Sequence, residues 1–243
     1  MSFIDFTSEE KKKAIYRYSD FARIVQMFQK QEITMVIPGK WDDPFENYII
    51  NPMYKHSDGS SSKLIITSVL HGSCWTSKSV SDAMWRIYSP DKIAVRVKST
   101  PELLGNALAS GLKKHSDSNW FIGKVQYLSQ KKILHKAELF ASRILNDQSE
   151  IAAAKCLLLK RSSFSHEQEI RAFVFDRHRK SQKGILKIKI DPHEVIQSVL
   201  VDSRAPDEWL DIYSTYLKEK LGFKGKVSKS ILYKPLEQLT IQK

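Results

Sequence analysis

The chain has 243 residues, of which 42% are hydrophobic and 27% are charged, and this composition is typical of a folded protein with a substantial core. Lysine and arginine total 39 against 27 acidic residues, and the formal net charge of +12 at pH 7 favours a polyanionic partner such as nucleic acid. No segment approaches the roughly 20 apolar residues of a membrane span, and a signal-peptide pattern is absent. Two distant cysteines, Cys74 and Cys156, match neither a disulfide framework nor a zinc site. We therefore expect a cytoplasmic protein with no membrane span.

Apolar spacing and turn residues divide the chain into short strands and helices. In chain order, they predict a strand at 14–18, a helix at 21–31, strands at 33–37, 64–70 and 72–77, a helix at 79–88, a strand at 93–97, a helix at 101–114, a strand at 121–128, helices at 131–146 and 149–159, strands at 169–175 and 185–190, a helix at 205–221 and a strand at 226–232. The elements follow one another without a regular βαβ rhythm, which is typical of an α+β fold. We predict a single domain over residues 1–243, with a mixed, mostly antiparallel sheet flanked by helices.

Residues 163–175 contain the densest set of charged side chains. Strand-like alternation predicts one face with Ile170, Ala172 and Val174 and a second face with Glu169, Arg171, Phe173 and Phe175. Glu167 and Glu169 are two residues apart and would share a face, with Lys160, Arg161, His166 and Arg171 around them. This mixture indicates either a functional site or a salt-bridged edge strand, because ion-pair networks can resemble sites.

Several short motifs, in this order and spacing, resemble a bacterial family catalogued as domain of unknown function 2971, over nearly the whole chain. The matching residues are Tyr16-Arg17-Tyr18, Asp43-Pro44-Phe45-Glu46, Cys74-Trp75-Thr76, Met84-Trp85 with Tyr88, Lys160, Glu167-Gln168-Glu169-Ile170-Arg171 and the run from Ile196 to Val201. The chain departs from the family pattern at Asp42, where the family often has Asn, and at Ile170, where it often has Trp. The family name implies no activity.

The layout also resembles, more distantly, the ADP-ribosyltransferase fold. That resemblance implies a first strand with Arg17 beside Tyr18, a later strand with Trp75-Thr76-Ser77, and a strand led by the catalytic Glu169 with Glu167 two residues before it. It implies NAD as the cosubstrate, with Thr76 and Ser77 among the residues that bind it, and an enzyme that modifies nucleic acid or protein in a bacterial defence or toxin context.

The residue types suit that chemistry. Departure of nicotinamide leaves positive charge on the ribose, which Glu169 would stabilise, while Glu167 would orient the acceptor or take its proton. Arg17 would hold a ribose or pyrophosphate oxygen, and Trp75, Tyr18 or Trp85 would stack on the nicotinamide ring. No metal is required.

Two other functions remain open from the residues alone. A non-catalytic nucleic-acid-binding or interaction module would account for the charge of +12, with Glu167 and Glu169 paired to Lys160 and Arg171. A metal-dependent nuclease would use the carboxylates as magnesium ligands, with Lys160 near the scissile phosphate. The candidate ligands are Asp42, Asp43, Glu46, Glu167 and Glu169.

Overall fold

The computed structural model describes residues 2–41, 43, 45–46, 54–55, 58–62, 69–113, 118–147, 149–177 and 181–234. Its strands are β1 (Ser2–Ile4), β2 (Ile15–Ser19), β3 (Glu32–Val36), β4 (Tyr54–Lys55), β5 (Ser61–Ser62), β6 (Leu70–Thr76), β7 (Val95–Ser99), β8 (Asn119–Lys124), β9 (Gln126–Leu128), β10 (Leu159–Arg161), β11 (Glu169–Phe175), β12 (Ile185–Lys189), β13 (Ser198–Val201) and β14 (Lys226–Lys229). Its α-helices are α1 (Phe21–Lys30), α2 (Asp82–Tyr88), α3 (Pro101–Leu112), α4 (Gln130–Asp147), α5 (Glu150–Cys156), α6 (Pro192–Val195) and α7 (Asp207–Thr215). Short 3-10 turns cover Glu10–Lys12, Pro38–Lys40 and Ser162–Glu167, and a π-helical turn covers Tyr216–Lys220.

Ten of the described strands form one mixed, mostly antiparallel sheet, which confirms the predicted α+β fold class. The main order is β1-β8-β11-β6-β2-β7-β13-β14, while β3 pairs with β6 and β12 pairs with β3. Of the pairs in this sheet, β1–β8 and β13–β14 are parallel. Within the described part of the chain, no helix is long and apolar enough to cross a membrane.

The central strand β11 is buried on both faces, and its alternation follows the prediction. Ile170, Ala172 and Val174 belong to the larger core, together with buried side chains of α1, α3 and α7. Phe173 and Phe175 belong to a second core on the opposite face, where α4 and α5 pack. Apolar side chains therefore cover both faces of this strand, as in the centre of a sheet with helices on both sides.

The sheet divides beside β6, and this division positions the candidate site. On one side, β6 pairs with β11 along its whole length. On the other side, β2 meets it at Tyr16 opposite Thr76, and β3 meets it at Val36 opposite Gly72. In the described residues, the β6 backbone between these two bridges has no neighbouring strand on that side. Helix α1 connects the two diverging strands, so a cleft opens over the middle of β6.

Three differences from the predicted elements concern short strands. The helix predicted at 149–159 ends at Cys156, because the buried residues Leu157–Leu159 lead into β10, which pairs in parallel with β9. The strand predicted at 121–128 is two strands, since the N–H of Val125 donates to the carbonyl of Glu169 and the chain then leaves β11 to join β10. Strand β1 was not predicted, and most of the strand predicted at 64–70 lies outside the described residues.

Helix α3 packs so closely on β12 that Gly111 has no room for a side chain. A Cβ at Gly111 would lie 2.3 Å from the backbone oxygen of Lys189 and 2.6 Å from Cγ2 of Ile188. Alanine favours a helix over glycine by about 1 kcal/mol. The overlap involves backbone, which cannot rotate away as a side-chain end can.

We therefore predict that Gly111→Ala lowers the free energy of unfolding by about 1–3 kcal/mol, because overpacking outweighs helix propensity. Urea unfolding followed by circular dichroism measures the change. Asn106→Ala, at an exposed position of the same helix, is the matched control and should be neutral or slightly stabilising. Equal stability of Gly111→Ala and Asn106→Ala would contradict the close packing.

Candidate functional site

The cleft beside β6 has a volume of about 790 Å³. Gly72 to Thr76 of β6 form its floor, α1 and β3 form one wall, and α2 contributes to another. Charged side chains from β10 and β11 line the end of the cleft near the first residue of β11. The volume lies in the range of known sites for small molecules and cofactors, roughly 300–1,000 Å³.

Five buried ionisable side chains meet at this end of the cleft, and we refer to them as the charged cluster. They are Glu46, Lys160, Glu167, Glu169 and Arg171, each at most 8% exposed. Lys160 donates to Oε2 of Glu167 at 2.5 Å and also to Oε1 of Glu169, and it lies 3.6 Å from Oε1 of Glu46. Arg171 donates to Oε2 of Glu169 and to Oε1 of Glu46, both at 2.6 Å, and to the carbonyl of Leu157, also at 2.6 Å.

Local backbone structure brings the two glutamates of the cluster together. Glu167 ends a 3-10 turn, and Gln168 follows with a left-handed φ of 43°, so the chain reverses before Glu169 begins β11. The Thr76 hydroxyl donates to the carbonyl of Glu167 at 2.5 Å, and the Glu169 N–H donates to the Tyr127 hydroxyl at 2.7 Å. Neighbouring strands therefore hold both ends of the turn.

The cluster contains three carboxyl groups and two cationic groups, and this imbalance separates the pKa values of the two neighbouring glutamates. Burial raises the pKa of Glu167 to about 7, assisted by its hydrogen bond with Glu169. Burial also acts to raise the pKa of Glu169, but the charge of Arg171 and hydrogen bonds from Glu167 and Arg171 outweigh burial and hold that pKa well below its usual range. Glu169 is thus a fixed anion, and Glu167 can exchange a proton near neutral pH.

Arg17 of β2 is a second charged group in the cleft, separate from the cluster. Its Nη1 donates to the Ser73 hydroxyl at 3.0 Å. No carboxylate within the described residues forms an ion pair with Arg17, and burial lowers its pKa. A guanidinium in a cleft with no acidic partner is suited to bind an anionic ligand.

The predicted aromatic residues divide between the cleft and the core. Tyr18 and Trp75 line the cleft, although they are only 7% and 2% exposed. Trp85 is fully buried against Tyr18, with ring centroids 4.7 Å apart, and it is absent from the described cleft lining. This corrects the predicted ring-stacking role of Trp85, since the core side of α2 holds its indole. Tyr88, one turn later and 43% exposed, lines the cleft instead.

Thr76 and Ser77, predicted as cofactor-binding residues, lie where β6 meets the turn before β11. Thr76 lines the cleft, and its hydroxyl also accepts from the N–H of Lys78 at 3.0 Å. Ser77 is exposed, and its N–H donates to the Gln168 carbonyl at 3.0 Å. Ser77 is not part of the described cleft lining, so the structure gives it a role in fixing the turn.

The sequence does not assign Glu46 to the predicted NAD site and places Lys160 only near its two glutamates, although both residues are members of the charged cluster. Both residues belong to the motifs on which the family resemblance rests, and this membership was the indication in the sequence that both belong to the site. Their meeting depends on pairing between β9 and β10 and on the path of residues 45–46, which local patterns do not reveal. Among the described residues, no group of three or more His, Cys, Asp or Glu side chains is arranged to hold a metal ion.

No known protein family model matches the chain, so its resemblance to domain of unknown function 2971 is not confirmed, and no curated protein matches it either. Three solved structures of DarT from Thermus sp. 2.9 are similar. The complex with ADP-ribosylated ssDNA is 8% identical, with 89% of this chain and 93% of that chain covered and a TM-score of 0.40. The complexes with NAD+ and carba-NAD+ are 10% and 11% identical, each covering 90% of this chain and 95% of that chain, with TM-scores of 0.39 and 0.38. Similarity this weak leaves the function to be argued from the chemistry of the cleft.

The buried guanidinium of Arg171 should dominate the stability of the cluster. We predict that Arg171→Met lowers the free energy of unfolding by about 3–5 kcal/mol, because the buried carboxylates of Glu46 and Glu169 each lose a partner. Urea unfolding at pH 7 gives the measurement.

Arg23→Met is the matched control, since it breaks the pair between Arg23 and Asp20, in which the two side chains are 74% and 63% exposed. The free energy of unfolding of this control should fall by less than about 1 kcal/mol. A loss of similar size in the two variants would show that the cluster contributes no more than a surface ion pair.

Proposed function

We propose that the protein is an NAD-dependent ADP-ribosyltransferase. The observation that carries this proposal is the pairing, in one cleft, of an arginine with no acidic partner among the described residues and a buried carboxylate kept ionised by its cationic neighbours. NAD carries a negatively charged pyrophosphate and develops positive charge on its nicotinamide ribose when the glycosidic bond breaks. The arginine is therefore suited to the negative pyrophosphate of this cosubstrate, and the carboxylate to the positive charge that develops on its ribose.

Arg17 would hold the pyrophosphate. Its guanidinium can donate two parallel hydrogen bonds to phosphate oxygens, and the Ser73 hydroxyl already fixes its orientation. The β6 backbone between Gly72 and Thr76, which no described strand covers on the cleft side, offers peptide groups to the bound molecule. Tyr88 and Tyr18 present aromatic rings at the same end of the cleft as α2, where a nicotinamide ring can stack.

Glu169 would stabilise the developing charge. Its two carboxylate oxygens offer about four acceptor sites, and the bonds from Lys160 and Arg171 use two of them, with a third used while Glu167 is protonated and donates to Glu169. The remaining sites can accept hydrogen bonds from ribose hydroxyls, which strengthen as the ribose becomes positive. The low pKa of Glu169 keeps this negative charge in place throughout the neutral pH range.

Glu167 would act as the base toward the acceptor. The bond between ribose C1′ and the nicotinamide nitrogen breaks, and its electron pair leaves with nicotinamide. The nucleophilic atom of the acceptor forms the new bond to C1′, and its proton passes to the Glu167 carboxylate. A base with a pKa of about 7 is suited to this exchange at neutral pH.

The test is nicotinamide release from NAD by the purified protein and two variants. We predict that Glu169→Gln lowers kcat by about 10²–10³-fold, as loss of one group that stabilises transition-state charge does elsewhere. Arg17→Met should instead raise KM for NAD at least tenfold, because the guanidinium binds the pyrophosphate equally in the ground state and the transition state. Chromatography of released nicotinamide with labelled NAD gives both constants.

Arg86→Met is the control, because Arg86 forms an exposed pair with Asp82 and neither residue belongs to the described cleft lining. Its kcat and KM for NAD should match those of the unsubstituted protein. Absence of turnover with protein and nucleic-acid acceptors, together with absence of NAD binding by calorimetry, would refute the proposed activity.

The acceptor that suits the cleft is nucleic acid. Lys30, Lys40 and Lys187 are exposed on the wall formed by α1, β3 and their neighbours, and no described acid pairs with them. The nearby acids are engaged, since Asp20 pairs with Arg23 and Glu32 pairs with Lys189. This wall is therefore net positive beside the proposed reacting centre, as binding of a phosphate backbone requires.

We predict that Lys30→Gln combined with Lys187→Gln weakens binding of a single-stranded oligonucleotide and reduces the slope of log K against log salt by about 0.7 for each phosphate that no longer meets a lysine. Fluorescence anisotropy at several salt concentrations measures this slope. Lys224→Gln combined with Lys226→Gln, near the edge strand β14, is the control with the same charge change. An equal effect of the two double variants would assign binding to the overall charge instead of this wall.

The same oligonucleotide assay addresses the alternative of a non-catalytic nucleic-acid-binding module. The wall with Lys30, Lys40 and Lys187 supports that alternative equally, because a positive surface can bind nucleic acid without any catalysis. Oligonucleotide binding that survives Glu169→Gln, in a protein that releases no nicotinamide, would establish the binding module and exclude the enzyme.

A further inference from the structure

We propose that Lys160 is a positioning residue of this site: its single ammonium group holds Glu167 and Glu169 in one geometry and divides the roles of base and fixed anion between them. The role in turnover rests on the proposed function, whereas the effect on the two carboxyl groups can be measured without it.

Lys160 is the point at which the two glutamates are joined. Its ammonium group has three N–H donors, and the structure directs one to Oε2 of Glu167 and another to Oε1 of Glu169. Arg171 bonds Glu169, Glu46 and the Leu157 carbonyl, and none of these three bonds reaches Glu167. Within the described residues, Lys160 is thus the cation that pairs with Glu167.

Strand pairing fixes the position of Lys160. It lies opposite Tyr127 in the parallel pair of β10 and β9, and the hydroxyl of Tyr127 accepts from the N–H of Glu169. The Phe164 ring lies over the ammonium group, with 4.8 Å between Nζ and the ring centroid. The side chain is 8% exposed, so little freedom remains for it to pair elsewhere.

The ionisation of Glu167 depends on all the groups that face it. Lys160 from β10, Glu169 from β11, Tyr88 from α2 and Tyr127 from β9 interact with Glu167 itself. Arg171 from β11, Glu46 from residues 45–46 and Cys74 from β6 act on it through Lys160 and Glu169. Burial raises the pKa values of the Cys74 thiol and of both tyrosine hydroxyls, which leaves all three neutral at pH 7. The charged groups that set the titration of Glu167 are therefore the three carboxyl groups and the two cations of the charged cluster.

Changing either side of this balance should move the titration of Glu167 in opposite directions. Lys160→Met keeps the length of the side chain and removes its charge, which leaves three carboxyl groups with Arg171 alone. Glu46→Gln removes one negative charge and leaves two carboxyl groups with two cations. Lys160→Arg keeps the charge but replaces a point donor by a planar fork, which changes the geometry.

The first experiment is a pH titration of the protein with ¹³C-labelled glutamate carboxyl groups, followed by NMR, with Glu167→Gln used to assign the Glu167 signal. We expect a midpoint for Glu167 near 7 in the unsubstituted protein. The midpoint should rise by about one pH unit or more in Lys160→Met and fall in Glu46→Gln, as for other carboxyl groups near a gained or lost charge. Lys136→Met, which removes an ammonium group bonded to Gln126, is the control and should leave the Glu167 midpoint unchanged.

The second experiment measures nicotinamide release against pH in the same variants. Because the base must be ionised, kcat/KM should decrease at pH values below the midpoint of Glu167. This acid limb of the pH profile should move to higher pH in Lys160→Met, with KM for NAD nearly unchanged. Lys160→Arg should keep the limb and lower kcat about a hundredfold, as small displacements of reacting groups do. A residue that only stabilises the fold would lower the melting temperature without moving the limb.

The outcomes separate the two proposals. An unchanged Glu167 midpoint in both Lys160→Met and Glu46→Gln overturns the positioning role, whatever the turnover. If Lys160→Met does not fold, the fall expected in Glu46→Gln and the rate loss in Lys160→Arg decide instead. Midpoints that move as expected in a protein without NAD turnover would support the role of Lys160 in the charged cluster and refute the proposed enzyme.

Discussion

The ion pairs of Arg171 are the interaction on which the rest of this structure depends. Its guanidinium joins β11, the segment of residues 45–46 and the end of α5 through Glu169, Glu46 and the Leu157 carbonyl. A buried charge is costly unless its hydrogen bonds are satisfied, and here each nitrogen of the fork has a partner. The indole of Trp41 covers one face, 4.5 Å from the guanidinium carbon to the ring centroid. Separate parts of the chain are thereby held at the end of the cleft.

The division of the sheet provides the space that these charges line. Strands β2 and β3 both leave β6, one toward β7 and the other toward β12, and the larger core under α1 and α3 supports them after they part. A continuous sheet would cover the β6 backbone with another strand. The parting instead leaves that backbone without a partner strand on one side, and both Arg17 and the charged cluster line the resulting cleft. The site is therefore a consequence of the topology as much as of its side chains.

Electrostatics gives the two glutamates of the cluster different properties although they are two residues apart. Glu169 has two cationic partners and stays ionised, while Glu167 shares one cation with other carboxyl groups and has a raised pKa. Pairs of carboxyl groups whose environments separate their pKa values are characteristic of enzymes that need an acid or base beside a fixed charge. The same arrangement connects the buried salt bridges, which stabilise the fold, to the chemistry proposed for the cleft.

The sequence by itself determined the fold class, most strand and helix positions, and the place of Arg17 and Glu169 on strands, because alternation and capping are local signals that survive in the folded chain. Glu167, expected on the same strand face as Glu169, lies instead in the 3-10 turn before that strand. It also indicated that charged groups would gather around residues 163–175. Only the tertiary structure decided that Glu46 joins Lys160 and the two glutamates, that Trp85 belongs to the core while Tyr88 faces the cleft, and that the chain after Cys156 is a strand. Those outcomes depend on which strands pair and on which side of a helix meets the core, and long-range burial sets both.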